Sequence, residues 1–165
     1  MMEIGTFVFF CGKMGAGKST KAEEIAKTNK AVLLSEDKWL ASLYPNKIHS
    51  FDDYIVYSNL LKPQIKQLTQ TILQAGANVV LDFPANTAKQ RAWFKDIYLS
   101  INAPHELVYI DVPNEVCLKR IAQRSIEQPE RANTDTKEMF EVVTQHFSAP
   151  EHHELFNVVH VKTQD

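Results

Sequence analysis

Apolar residues fall along this chain in short unbroken runs rather than in strict alternation. Residues 6–11 (TFVFFC), 31–34 (AVLL), 78–81 (NVVL), 106–110 (ELVYI) and 158–161 (VVHV) each carry few polar interruptions. A strand with one wet face alternates, whereas a continuous apolar run suits a strand covered on both faces. The pattern therefore predicts five strands, each buried on both sides.

Between these runs the spacing changes to that of helices. Residues 19–27 follow the first run directly, and residues 52–75 predict a long helix, broken near Pro63 and ended by Gly76 as a C-terminal cap. Residues 87–100 open on Thr87, suited to N-capping, and carry Trp93, Phe94, Ile97 and Ile101 at helical spacing. Residues 115–124 start soon after Pro113 with acidic charge in the first turn, and a last helix is expected over about residues 136–147. Strands alternating with helices at this rhythm imply right-handed parallel crossovers. The expected fold is a three-layer α/β sandwich. Two segments resist the scheme: residues 44–51 (YPNKIHSF) read as a loop, and residues 125–135 (SIEQPERANTD) are polar, charged and interrupted by proline. Both are expected to be mobile covers.

Composition narrows the picture. A length of 165 residues with 44% apolar content supports one substantial core and is short for two ordinary domains, so one domain over residues 1–165 is expected. Eighteen basic and twenty acidic residues leave a formal charge of −2, hence no global field for nucleic acid or an anionic membrane. Any phosphate binding must be local, and neither a nucleic-acid nor a membrane partner is expected. No basic leader precedes a long apolar run and no stretch approaches about 18 apolar residues, which sets cytoplasmic as the expectation. Cys11 and Cys117 lie far apart in apolar segments and read as reduced packing residues.

The chemistry begins directly behind the first run. Gly12-Lys13-Met14-Gly15-Ala16-Gly17-Lys18-Ser19, followed by Thr20, matches G-x-x-x-x-G-K-[ST] between a strand and a helix, the context that pattern requires. Glycines let successive backbone amides converge on a phosphate, and the following helix adds unpaired amides and the positive end of its dipole. Lys18 can reach the β- and γ-phosphates, and the Ser19 hydroxyl is the expected Mg²⁺ ligand. Met14, like Cys11, is assigned to packing. The loop is expected to hold a nucleoside triphosphate.

Transfer needs an acceptor in line, a group to take its proton and cations on the migrating charge. The second strand ends in Ser35-Glu36-Asp37, and strand C-termini in a parallel sheet are where ligands sit. Asp37 is the first candidate base and Glu36 the second; Ser35 or Asp37 could instead cap a helix starting at Lys38. The third strand ends at Asp82, placed to bind Mg²⁺ through water. Asn86 and Arg91 could contact acceptor or phosphate, though a capping Thr87 and a solvated Arg91 are equally open. Arg120 and Arg124 share a helix face and lead into the segment at 125–135, a lid whose arginines would clamp the phosphates; Arg131 fits a solvated basic face at least as well. His152 and His153 are adjacent and the other histidines scattered, so no metal site built from protein ligands alone is expected.

The ordered set GKMGAGKST, LLSEDKWL, VVLDFPANTAKQRAWF and VCLKRIAQR resembles a bacterial family of small P-loop ATP-binding proteins labelled AAA-type ATPases. These lie closer to the kinase branch of polynucleotide kinases, zeta toxins and chloramphenicol phosphotransferases. The likeness covers about residues 5–162. It implies parallel strands ordered 2-3-1-4-5, an ATP site, and an acceptor pocket between the second strand, the following helices and the lid. By position, Asp37 or Glu36 falls where relatives keep the catalytic carboxylate, and Arg120 and Arg124 where they keep lid arginines. Trp39 and Leu40 replace the arginine with which polynucleotide-kinase-like members grip an acceptor phosphate. A small hydroxylated acceptor beside Trp39, Tyr44, Phe51 and Tyr54 is therefore expected. The reading is an ATP- and Mg²⁺-dependent phosphotransferase with Lys18, Asp37, Arg120 and Arg124 as catalytic residues. The alternatives are a nucleotide-dependent switch or toxin-like regulator of a protein partner, or a nucleoside or polynucleotide kinase.

Overall fold

A computed structural model describes residues 3–163, in which the apolar runs form one parallel sheet. Its strands are β1 (Phe7–Cys11), β2 (Val32–Ser35), β3 (Val79–Pro84), β4 (His105–Asp111) and β5 (Val158–Lys162), in the order β2-β3-β1-β4-β5. All four pairings are parallel. The helices are α1 (Lys18–Thr28), α2 (Glu36–Leu43), α3 (Phe51–Gln74), α4 (Ala88–Leu99), α5 (Asn114–Glu127) and α6 (Lys137–Gln145). This is the three-layer sandwich that the apolar pattern predicts and the strand order that the family resemblance implies.

Alternation along β1 divides the core. Phe7, Phe9 and Cys11 meet Leu61, Ile65, Phe94, Ile97 and Tyr98, so α3 and α4 cover one face. Val8 and Phe10 meet Ala22, Ala26, Cys117, Ile121 and Phe140, so α1, α5 and α6 cover the other. The Phe9 and Phe94 rings stack with centroids 4.7 Å apart. Each such buried aromatic contributes about 2–3 kcal/mol through its removal from water. The thiol of Cys11 is pushed up to about 12 by burial, the Cys117 thiol is raised for the same reason, and Met14 packs beside the second cluster. Both cysteines are free and inert, as packing residues should be.

Several elements depart from expectation. Helical cover stops short of the sheet's rim: β5 is exposed along most of its length and Val32 of β2 is open, so only the central strands are buried on both faces. Pro63 does not break α3. Pro63 and Asn59 are both exposed, on the solvent side of the helix, where water can serve the carbonyl that loses its amide partner. α5 runs to Glu127, three residues beyond the expected end, and a single 3-10 turn at Pro129–Arg131 follows. The segment at 125–135 is therefore partly ordered. Thr87 and Thr136 cap α4 and α6 by accepting from the amides of Gln90 and Met139.

Arg91, expected at a phosphate or in solvent, is instead an interior staple. It is 1% exposed. Its guanidinium donates to the Ala85 carbonyl at 3.0 Å and the Ser148 carbonyl at 2.8 Å, and pairs with Glu154 at 2.9 Å. It thereby ties residues 148–154 to the end of β3.

Candidate active site

Parallel register brings three strand ends to one edge. Phe9 lies opposite Leu81 and Ser35 opposite Asp82, so the loop after β1, the carboxylate of β3 and the acidic start of α2 are neighbours. Each arrives there because an apolar run ends in polar residues where the strand leaves the sheet.

The loop between β1 and α1 has the geometry its glycines suggest. Gly15 sits at φ +81, and a Cβ there would stand 2.6 Å from the Cys117 carbonyl oxygen. Gly17, at φ +94, is the N-cap of α1. The first helical bond runs from the Lys21 amide to the Gly17 carbonyl, so the amides of Lys18, Ser19 and Thr20 are unspent by the helix and gather at its positive end. The loop is braced from three sides. Asn86 accepts from the Gly12 amide at 2.9 Å, Lys13 donates to Asn114 at 2.8 Å, and Arg120 donates to the Ala16 carbonyl at 3.1 Å. Ala16 closes an internal turn by donating to the Lys13 carbonyl at 3.0 Å.

Asp82 is 6% exposed, and its Oδ2 accepts from the Ser19 hydroxyl at 2.9 Å. Lys18 Nζ lies 3.9 Å from Oδ1. That same Oδ1 is buried and accepts no hydrogen bond. A sheltered carboxylate oxygen without a donor, next to a hydroxyl, offers the hard oxygen ligands that a divalent cation takes, while the Lys18 ammonium, having no lone pair, ligates nothing. Ser19 and Asp82, singled out separately in the sequence, thus meet at one point and fit Mg²⁺.

The two acidic residues of α2 have opposite settings. Glu36 is 3% exposed and accepts from Tyr54 Oη at 2.6 Å and Ser58 Oγ at 2.7 Å. Burial raises its pKa despite those two bonds and the Lys18 cation. Asp37 is exposed, with Arg131 Nη2 4.0 Å from its Oδ2. α2 begins at Glu36 rather than Lys38, and the Ser35 side chain makes no capping bond.

Beyond the loop, Arg124 grips Asp135 through two bonds of 2.7 and 2.8 Å, and Arg131 donates to the same carboxylate at 3.0 Å. Asp135 is buried, so the segment at 125–135 is latched onto α5 by its own acid. Arg131, read as fitting a solvated basic face at least as well as a phosphate clamp, pairs with Asp135 and Asp37. Sequence reasoning missed Asp135 and Ser58, and it placed Tyr54 at the acceptor without its bond to Glu36; a hydroxyl four residues from another on an amphipathic helix was the available signal for that pair.

A parallel 2-3-1-4-5 sheet with a phosphate-type loop after β1 defines the P-loop kinase-like class. Residues 7–150 match the family model described as "AAA domain", and the chain belongs to that family. Adenylate kinase of Prochlorococcus marinus (strain MIT 9301) is 30% identical over 124 residues, which span 71% of this chain and 68% of that protein. Among solved structures, a protein of Chloroflexus aurantiacus provisionally described as a kinase superposes with a TM-score of 0.77 at 16% identity, over 98% of this chain and 87% of that one. The Mycobacterium tuberculosis APS kinase, solved in complex with AMPPNP and APS, gives 0.63 at 18% identity, over 99% and 91%. These two likenesses establish the fold.

Proposed function

We propose that the chain is an ATP- and Mg²⁺-dependent phosphotransferase that moves a phosphoryl group to a hydroxyl of a small molecule. The observation that carries the reading is the meeting of Ser19, Lys18 and the donor-starved Oδ1 of Asp82 at the mouth of an amide-lined loop. Gly12, Lys13, Met14, Gly15, Ala16, Gly17, Lys18, Ser19 and Thr20 form the triphosphate seat. Ser19 and Asp82 would hold Mg²⁺, directly or through water, and the bound ion would neutralise developing charge on the phosphates. Lys18 shares that task as a mobile ammonium.

Asp37 is the base in this reading. Both Glu36 oxygens are engaged by α3 hydroxyls, whereas Asp37 is open to an incoming hydroxyl and, among the described residues, has the guanidinium of Arg131 as its ion-pair partner. Arg120, already docked on the loop, stands beside the phosphates. Arg124 would serve them by exchanging Asp135 for the nucleotide when the segment at 125–135 closes.

ATP consumption over a panel of hydroxylated acceptors, with Lys18→Ala as the blank, tests the proposal. One acceptor should yield a phosphorylated product above the water background. Asp37→Asn should keep nucleotide affinity and slow transfer about 10²-fold or more. Equal loss of affinity and turnover would remove Asp37 as base. The adenylate kinase relative favours a second reading, a nucleoside monophosphate as acceptor, so AMP belongs in the panel.

A further inference from the structure

Tyr54, Ser58 and Lys62 recur every fourth residue on α3 and so share one face of that helix. The first two satisfy Glu36. Lys62 continues the stripe and has no such partner. Its ammonium lies 5.5 Å from the centroid of Trp93, which in turn leans on Phe83 with centroids 5.9 Å apart. Burial holds its pKa below the ordinary lysine value; the charge of Glu36 opposes that shift and Lys89 adds to it. Glu36 opens α2, Lys89 stands in the first turn of α4, and Phe83 follows Asp82 directly. Lys62 therefore belongs to the edge of the sheet that carries the loop.

Among the described residues, the lysines that are not exposed are Lys13, Lys18, Lys21, Lys62, Lys66 and Lys95. Five of them have a hydrogen-bond or ion-pair partner: Asn114, Asp82, Glu24, Asp96 and the Glu154 carbonyl, respectively. Lys62 has none. Lys62 is half-buried and its ammonium has no protein acceptor, so its donors are left to water or a ligand, and a ring face worth about 1 kcal/mol does not occupy them. A neutral hydroxyl would leave the charge uncompensated, whereas an oxyanion would both pair with it and satisfy its donors.

We propose that Lys62 and Trp93 form an anchoring subsite for the acceptor, which is a hydroxylated small molecule bearing a compact oxyanion, either a carboxylate or a phosphate. The subsite rests on the phosphotransferase reading above. Trp93 supplies the wall, Lys62 fixes the anion, and the acceptor's hydroxyl end is left for Asp37 and the loop.

The test uses the full chain with ¹³C-labelled lysine, saturated with Mg²⁺ and ADP so that the loop is filled. Inorganic phosphate, malonate and glycerol are titrated separately while the Lys62 ε-methylene resonance, assigned by its loss in Lys62→Gln, is followed. The resonance should shift saturably with an oxyanion and stay still with glycerol. Calorimetry should show at least tenfold weaker anion binding in Lys62→Gln and recovery in Lys62→Arg. A response to phosphate alone identifies a phosphorylated acceptor, and one to malonate alone a carboxylic acid. A Lys62 resonance unmoved by both anions, or equal anion affinity in Lys62→Gln, overturns the subsite while leaving the kinase reading intact. Failure of the wild-type chain to take up ADP with Mg²⁺ in a preliminary calorimetric run removes that reading, and the subsite with it.

Discussion

Replacing Asp82 by Asn separates what this residue does for the fold from the role proposed for it at the nucleotide. The amide is nearly isosteric and keeps an oxygen for the Ser19 hydroxyl, now at 2.9 Å. Two costs oppose each other: the substitution removes a 6% exposed charge with one oxygen that accepts nothing, but also the attraction to Lys18 3.9 Å away. Desolvation of an unmet polar atom is worth about 1–3 kcal/mol, and a pair at this separation is worth a comparable amount once screened by a partly exposed lysine. The free protein should therefore change by less than about 2 kcal/mol. Ligand binding should change far more. At a concentration 100 times Kd, MgATP in the proposed site would stabilise the folded wild-type chain by about 2.7 kcal/mol, or about 5–10 °C in Tm for a chain of this size. Thermal unfolding with ATP and excess Mg²⁺ should show that shift in wild type and lose most of it in Asp82→Asn, while ATP with EDTA should give both proteins the same smaller shift. Turnover should fall about 10²–10³-fold. An undiminished Mg²⁺-dependent shift in Asp82→Asn would refute the assignment of Asp82 to the metal.

Two further outcomes follow from buried charge. Glu36 has its pKa raised on folding by burial, so its stabilising contribution is complete below the ordinary value of 4.5 and is lost as pH rises through the folded value. Glu36→Gln should match wild type near pH 4 and exceed it at pH 7.5 in urea unfolding, because Gln can still accept from Tyr54 and donate to Ser58; an advantage confined to low pH would contradict this. Arg91→Ala should cost about 3 kcal/mol by leaving Glu154 and the Ser148 and Ala85 carbonyls without their donor, lowering Tm by about 6–12 °C. A loss below about 1 kcal/mol would show that residues 148–154 are held by other contacts.

The sequence by itself settled the β-α alternation, the parallel sheet and the phosphate-type loop, because each depends on local pattern: unbroken apolar runs, a 3.6-residue period, and glycines where the chain must turn between strand and helix. Gly15 and Gly17 at positive φ and the capping Thr87 were readable for that reason. Partnerships between distant residues were not readable, since nothing local distinguishes a solvated arginine from an interior one. Arg91 became a staple because the chain returns past it at Glu154, and Arg124 a latch because Asp135 folds back beneath it. Glu36 and Asp37 are adjacent in sequence and chemically alike; the rotation of about 100° per helical residue sends the first under α3 and leaves the second in the open. Tertiary packing alone decided which carboxylate is held and which is available, because burial and charge pairing are set by whatever the fold brings alongside.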